Sequence, residues 1–200
     1  ITSYGNPTEY VKRAAKAGSI VFHDVVNLQH AKKAAAAGVD AIIGVSSGAG
    51  GHAGGISPYA LIPYLRDNLD VPVIAAGCIS TGQQVAASLA LGAELAYMGT
   101  RFIASKECQA EDAYKQMVVD AVPEDIVYTD EVSGTPANFF KKTVPSHKDF
   151  EPGIAGDTGK RWKSIWSAGQ GSALIHEVKP VAEIVEDLVR EYHDTVARLS

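Results

Sequence analysis

The stretch LQHAKKAAAAGVDAIIGV, residues 28–45, decides the fold. Its alanine-rich first half suits a helix, Gly38 supplies the left-handed turn that ends one, and an unbroken apolar run follows. The layout recurs twice: residues 8–17 stop at Gly18 before Ser19-Ile20-Val21-Phe22, and residues 81–91 stop at Gly92 before Glu94-Leu95-Ala96-Tyr97-Met98. A further apolar strand, residues 71–76, follows a helical stretch at 58–68. Runs that are apolar throughout, instead of alternating, belong to strands covered on both faces. Helices between such strands impose parallel pairing through right-handed crossovers.

The expected class is therefore α/β, with strands near 1–3, 20–25, 40–46, 71–76 and 94–98. A doubly wound sheet and a (β/α)8 barrel both satisfy this order. Short intervals between strand starts favour the barrel, as do glycine, histidine and hydroxyl residues gathered after successive strand ends, where barrels build their sites. A whole barrel needs about 250 residues. Five strands thus predict the C-terminal part of a barrel over residues 1–105, with three strands preceding Ile1, and a mostly helical extension over 106–200 packed upon it. Within the extension, 106–121 and 180–199 read as helices and 123–160 as mixed and loop-rich. Val181, Ile184, Val185, Leu188, Val189, Tyr192, Val196 and Leu199 fall at helical spacing and predict one buried stripe.

Composition narrows the function. The 200 residues carry 46% hydrophobic and 20% charged side chains, a net charge of −5 and no dense basic run, which argues against a nucleic-acid partner and for small-molecule chemistry. No apolar run reaches the roughly 18 residues that span a bilayer, and no secretion signal opens the chain, so a cytoplasmic protein is expected. Cys78 and Cys108 stand in no metal-ligand spacing and read as thiols; no metal is expected. Two open sheet edges predict a homo-oligomer or a partner supplying the remaining strands.

Chemistry concentrates at three strand ends. In Ala75-Ala76-Gly77-Cys78-Ile79-Ser80-Thr81-Gly82 a strand passes through a glycine turn into a helix, where free N–H groups and the helix dipole suit an anion. An ordinary turn with a Ser or Thr cap reads equally well. Tyr97-Met98-Gly99-Thr100-Arg101-Phe102 repeats the glycine turn, and two neighbouring strand ends of this kind can share one phosphate. Amides near Gly77, Cys78, Gly99 and Thr100 are the expected anchors. The third end is Ser47-Gly48-Ala49-Gly50-Gly51-His52-Ala53-Gly54-Gly55, whose side-chain-poor backbone can lie against a flat ligand with His52 beside it as general acid or base. His23 is a second histidine that could face the same mouth. Trp162 and Trp166 read as core packing, and Gln170, between Gly169 and Gly171, is a further candidate.

Ala49-Gly50-Gly51-His52, Ala75-Ala76-Gly77-Cys78-Ile79, Met98-Gly99-Thr100-Arg101-Phe102 and Trp166-Ser167-Ala168-Gly169-Gln170-Gly171, in this order and spacing, resemble the nitronate monooxygenase (2-nitropropane dioxygenase-like) family of FMN-dependent TIM-barrel oxidoreductases. The resemblance implies an FMN site lined by Gly50, Gly51, Gly77, Gly99 and Thr100, with Cys78, Tyr97, Met98 and Gln170 in the same motifs, and His52 as the catalytic residue. It implies oxidation of alkyl nitronates by oxygen to carbonyl compounds and nitrite. Two alternatives accompany it: NAD(P)H-dependent reduction of quinones or enoyl thioesters, and a non-catalytic half-barrel that binds a phosphate ligand. Three positions depart from the family pattern: Gly48 replaces a common Glu, Cys78 a second glycine, and Val45 a common Gln. Cys78 keeps a donor N–H, provided its turn does not demand φ > 0.

Overall fold

The computed structural model describes residues 1–145 and 164–200. Its first half follows the expected alternation: α1 (Thr8–Lys16), β1 (Phe22–Val25), α2 (Leu28–Ala36), β2 (Ala41–Val45), a two-residue β3 (Gly51–His52), α3 (Pro58–Arg66), β4 (Val73–Ala76), α4 (Gly82–Ala90) and β5 (Leu95–Tyr97). Local chemistry sets these boundaries. The Asn27 side chain accepts the His30 N–H at the start of α2, Thr81 and Gln84 form a reciprocal capping box on α4, and Gly38 takes φ +88° after α2. Strands β1, β2, β4 and β5 pair in that order, all parallel.

The central strands β2 and β4 are covered on both faces, as their unbroken apolar runs require, whereas on β5 Leu95 and Tyr97 are exposed. On the outer face Ile42, Val73 and Ala75 meet Ala31 and Ala34 of α2 and Leu61, Ile62 and Leu65 of α3. On the inner face Ala41, Ile43, Val45, Ile74 and Ala76 pack together with Phe22 and Val26. Ile42, Ile43, Leu61, Ile62 and Leu65 are all fully buried. Each such side chain contributes about 1.5–3 kcal/mol relative to exposure. The strand expected at 1–3 shrinks to one parallel bridge from Thr2 to His23 of β1, and among the described residues no strand pairs with its other side.

After a short α5 (Thr100–Ile103) the chain departs further from expectation. The helix expected over 106–121 covers only Asp112–Asp120 (α6). Residues before it are drawn away, since Ser105 bridges Lys179 and the Glu107 carboxylate accepts the Val181 N–H. Strands β6 (Ile126–Thr129) and β7 (Ala137–Phe140) form an antiparallel hairpin inside the stretch read as loop-rich, and β7 also pairs with β3. The final helix, α7 (Val181–Leu199), lies across α4, so close that a Cβ on Gly82 would come within 2.2 Å of the Leu188 carbonyl. Along α7 Ile184 and Thr195 are buried while Val185, Val189, Val196 and Leu199 are exposed, so the expected buried stripe is buried along one edge only. None of the described helices is long and apolar enough to cross a membrane.

Candidate functional site

The three glycine-rich strand ends converge at one mouth. From the β2 end, Gly48 offers its carbonyl to the Gln170 N–H at 2.9 Å, while Gly169 donates its own N–H to Thr100 Oγ1 at 3.0 Å. Gly50 approaches the same cluster: a Cβ there would lie 2.8 Å from Gly169 N and 2.9 Å from Thr100 Oγ1. From the β4 end, Gly77 sits against Ser46, whose buried hydroxyl donates to the Ala76 carbonyl, and Cys78 lies beside Gly171. Gly50, Gly99 and Gln170 are exposed, while Gly51, His52, Gly77, Cys78 and Thr100 are half-buried. The Tyr97 ring is exposed, and the Met98 side chain packs against the outer core.

Glycine richness alone implies slack, yet this loop is tied down at nearly every residue. Asn138, fully buried on β7, donates its side-chain amide to the Ala49 carbonyl at 2.7 Å. Gly51 and His52 pair with Asn138 and Ala137 as β3, and the Tyr128 hydroxyl donates to the Ala53 carbonyl at 2.9 Å. Ala53 N–H reaches the Pro136 carbonyl and Gly54 N–H the Val45 carbonyl. The hairpin β6–β7 therefore acts as a clamp on the loop, converting a flexible stretch into a fixed one.

His52 is held in both backbone and ring. Its Nε2 lies 3.0 Å from Ser133 Oγ, and the Tyr4 ring meets the imidazole edge-on with centroids 5.1 Å apart. Burial lowers its pKa, which favours the neutral imidazole that can accept a proton. His23 is elsewhere: it is buried on the outer face of β1, with Nδ1 2.8 Å from Thr2 Oγ1, so the expectation that it could face the mouth is not met.

The helix-dipole anion site expected at α4 is already in use. Glu191 of α7 accepts the Gly82 N–H at 2.7 Å, and Gln84 Oε1 accepts from Ser80 and Thr81. An external anion there would meet a carboxylate. Two buried hydroxyls nearby, Ser80 Oγ and Ser172 Oγ, have no hydrogen-bond partner among the described residues. Cys78 adopts φ +57°, so its turn does demand a conformation that glycine would take more easily. Trp166 stacks on Tyr114 with centroids 4.9 Å apart, as core packing requires, while Trp162 falls outside the described residues.

Sequence reasoning missed Ser133, Asn138, Tyr128 and Tyr4. Residues 126–129 and 137–140, β-rich runs either side of Gly134, carried a hairpin signal that could have found the clamp. Asp24 was missed too. It shares the inner face with Phe22 and stands in register with Ile43; its Oδ1 is buried without a hydrogen-bond partner among the described residues, and burial pushes its pKa up to about 6.

The sequence profile of the nitronate monooxygenase family matches residues 1–152. The chain belongs to that family. Nitronate monooxygenase from Paraburkholderia phytofirmans is 33% identical over 225 residues, covering 98% of this chain and 61% of its own. A (3aS,4S,5R,7aS)-5-hydroxy-7a-methyl-1-oxo-octahydro-1H-indene-4-carboxyl-CoA dehydrogenase from Rhodococcus jostii is 35% identical over 128 residues, 64% of this chain and 36% of that protein. Among solved structures, FabK from Thermotoga maritima superposes with a TM-score of 0.86 at 32% identity, covering 98% of this chain and 68% of FabK. The parallel sheet of this nitronate monooxygenase family member is thus part of a TIM barrel, as the sequence predicts. The chain spans about three fifths of the length of the first curated relatives it matches.

Proposed function

We propose that this chain forms the flavin-facing part of an FMN-dependent oxidoreductase that oxidises alkyl nitronates. The observation that carries the reading is the convergence of Gly50, Gly77, Gly99, Thr100 and Gln170 on one mouth with His52 fixed beside it. The residues present fit FMN. Buried hydroxyls on Ser80 and Ser172 without acceptors favour an anionic group, and the space beside Gly99 is open.

Backbone amides of Gly77, Cys78, Gly99 and Thr100 would hold the phosphate, with Gly50, Gly51, Tyr97, Met98 and Gln170 against the rest of the cofactor. FMN, when bound, would supply the redox chemistry by which oxygen oxidises the nitronate to a carbonyl compound with release of nitrite. The protein's own contribution is acid–base. His52, neutral by burial, takes a proton from the carbon next to the nitro group of a neutral nitroalkane and, once protonated, donates to a nitro oxygen of the anion. Hydrogen bonds from Asn138 and Gln170 keep the loop from drifting, so the imidazole is positioned before substrate arrives.

A second reading, oxidation or reduction of acyl thioesters with NAD(P)H as the partner donor or acceptor, draws support from the Rhodococcus CoA-ester dehydrogenase, whose identity slightly exceeds that of the Paraburkholderia relative. One set of measurements separates the readings. The purified protein is titrated with FMN and followed by flavin absorbance and fluorescence; absence of binding overturns both. With FMN bound, anaerobic bleaching by propyl-2-nitronate alone supports the first, whereas bleaching by NAD(P)H but not by nitronate replaces it with the second.

A further inference from the structure

We infer that Ser133 is a positioning residue which locks His52 in the tautomer protonated at Nε2 and makes Nδ1 the nitrogen that accepts a proton. The inference deepens the acid–base reading of His52 and rests on it.

It follows from a count of protons. Ser133 Oγ lies 3.0 Å from His52 Nε2 and 3.0 Å from the Thr135 carbonyl oxygen. A hydroxyl has one proton to give, and a carbonyl has none. For both contacts to be hydrogen bonds, the hydroxyl must donate to Thr135 and turn a lone pair toward the ring. His52 Nε2 must then carry the proton and donate it. The opposite arrangement sets the hydroxyl proton on Nε2 and two lone-pair oxygens against each other at 3.0 Å.

Ser133 is built to hold this geometry. Val132 before it is buried among Ala137, Phe139 and Ile165, and Gly134 after it donates its N–H to the Asp130 carbonyl at 2.7 Å. The serine therefore sits in a tight turn nailed to the core. The same hairpin pairs the His52 backbone through Ala137, so one unit controls both where the residue stands and which nitrogen bears its proton. Tyr4 packs against the same ring at an interplanar angle of 88°.

The test reads the tautomer itself and needs neither substrate nor flavin. In the full chain labelled with nitrogen-15, at a pH where His52 is neutral, long-range proton–nitrogen correlation should show Nε2 at an N–H shift and Nδ1 at a bare-nitrogen shift. Ser133→Ala should move both toward averaged values, and Ser133→Thr, which keeps the hydroxyl, should restore the separation. A wild-type spectrum with the proton on Nδ1, or averaged shifts, overturns the inference without recourse to any variant. So does a Ser133→Ala spectrum identical to the wild type. FMN titration of the same samples reports separately on the flavin reading, whose failure would leave these shifts unchanged.

Discussion

Gly48 and Cys78 interlock: a Cβ on Gly48 would stand 2.4 Å from the Cys78 Sγ, and 2.8 Å from Gln170 Oε1. Both residues occupy left-handed backbone, at φ +78° and +57°. The space that an acidic side chain at position 48 would need is filled by the thiol, so two departures from the family pattern become one physical exchange. Gly48→Ala is expected to cost about 1–3 kcal/mol through backbone strain and collision. In a Cys78→Gly background that cost should fall by at least about 0.5–1 kcal/mol, because the obstructing sulfur is gone. Urea unfolding of the four proteins in the cycle measures it; strictly additive penalties would refute the interlock.

Asn138 is the loop's buried tether. Removing its amide in Asn138→Ala leaves the Ala49 carbonyl without that donor in the interior and opens a cavity, at an expected cost of about 1–3 kcal/mol. Amide exchange at Gly50, Gly51 and His52 should accelerate more than exchange in β2 and β4. Uniform acceleration across the sheet would mean that the tether serves the whole domain and not the loop.

Asp24 makes stability depend on pH in a definite direction. Its pKa is raised from 3.8 to about 6 by burial, so between those values the folded chain holds a proton that the unfolded chain has lost. The penalty is absent below the unfolded pKa, grows as pH rises through this window, and is complete above the folded one. Asp24→Asn should therefore raise the melting temperature at pH 7.5 and leave it unchanged near pH 3.5. Melting curves across that range decide it; an equal shift at both ends would assign the effect to shape instead of charge.

Apolar surface should drive association. Leu95 and Tyr97 on β5 are exposed, and among the described residues β5 pairs only with β4; Val185, Val189 and Val196 line an uncovered side of α7. Such an edge and face favour contact with a second chain. Light scattering of this 200-residue chain should give a mass that climbs with concentration, and Leu95→Lys with Val189→Lys should lower it. A strict monomer at all concentrations would count against the prediction.

How far the sequence carried depended on range. Helix, glycine and strand alternate locally, so Gly38, Asn27 and the run from Ala41 to Val45 announce their own structure. His52 and the glycine turns stood out as candidates for the same reason: the features that single them out lie in neighbouring residues. The clamp was not, because Ser133, Asn138 and Tyr128 reach the loop from 75 to 89 positions away, and no periodicity encodes such a pairing. The stripe on α7 misled for a different reason. Helical spacing identifies an apolar side but not how much of it a neighbour covers, and α4 meets α7 at Leu188, Glu191 and Tyr192.

The pairing of β3 with β7 also fixes an order of events. During synthesis the parallel strands through β5 leave the ribosome well before the hairpin does, and they can pair as they emerge. His52 is made early and placed late: its imidazole has no fixed address until the chain has been extended past Phe140.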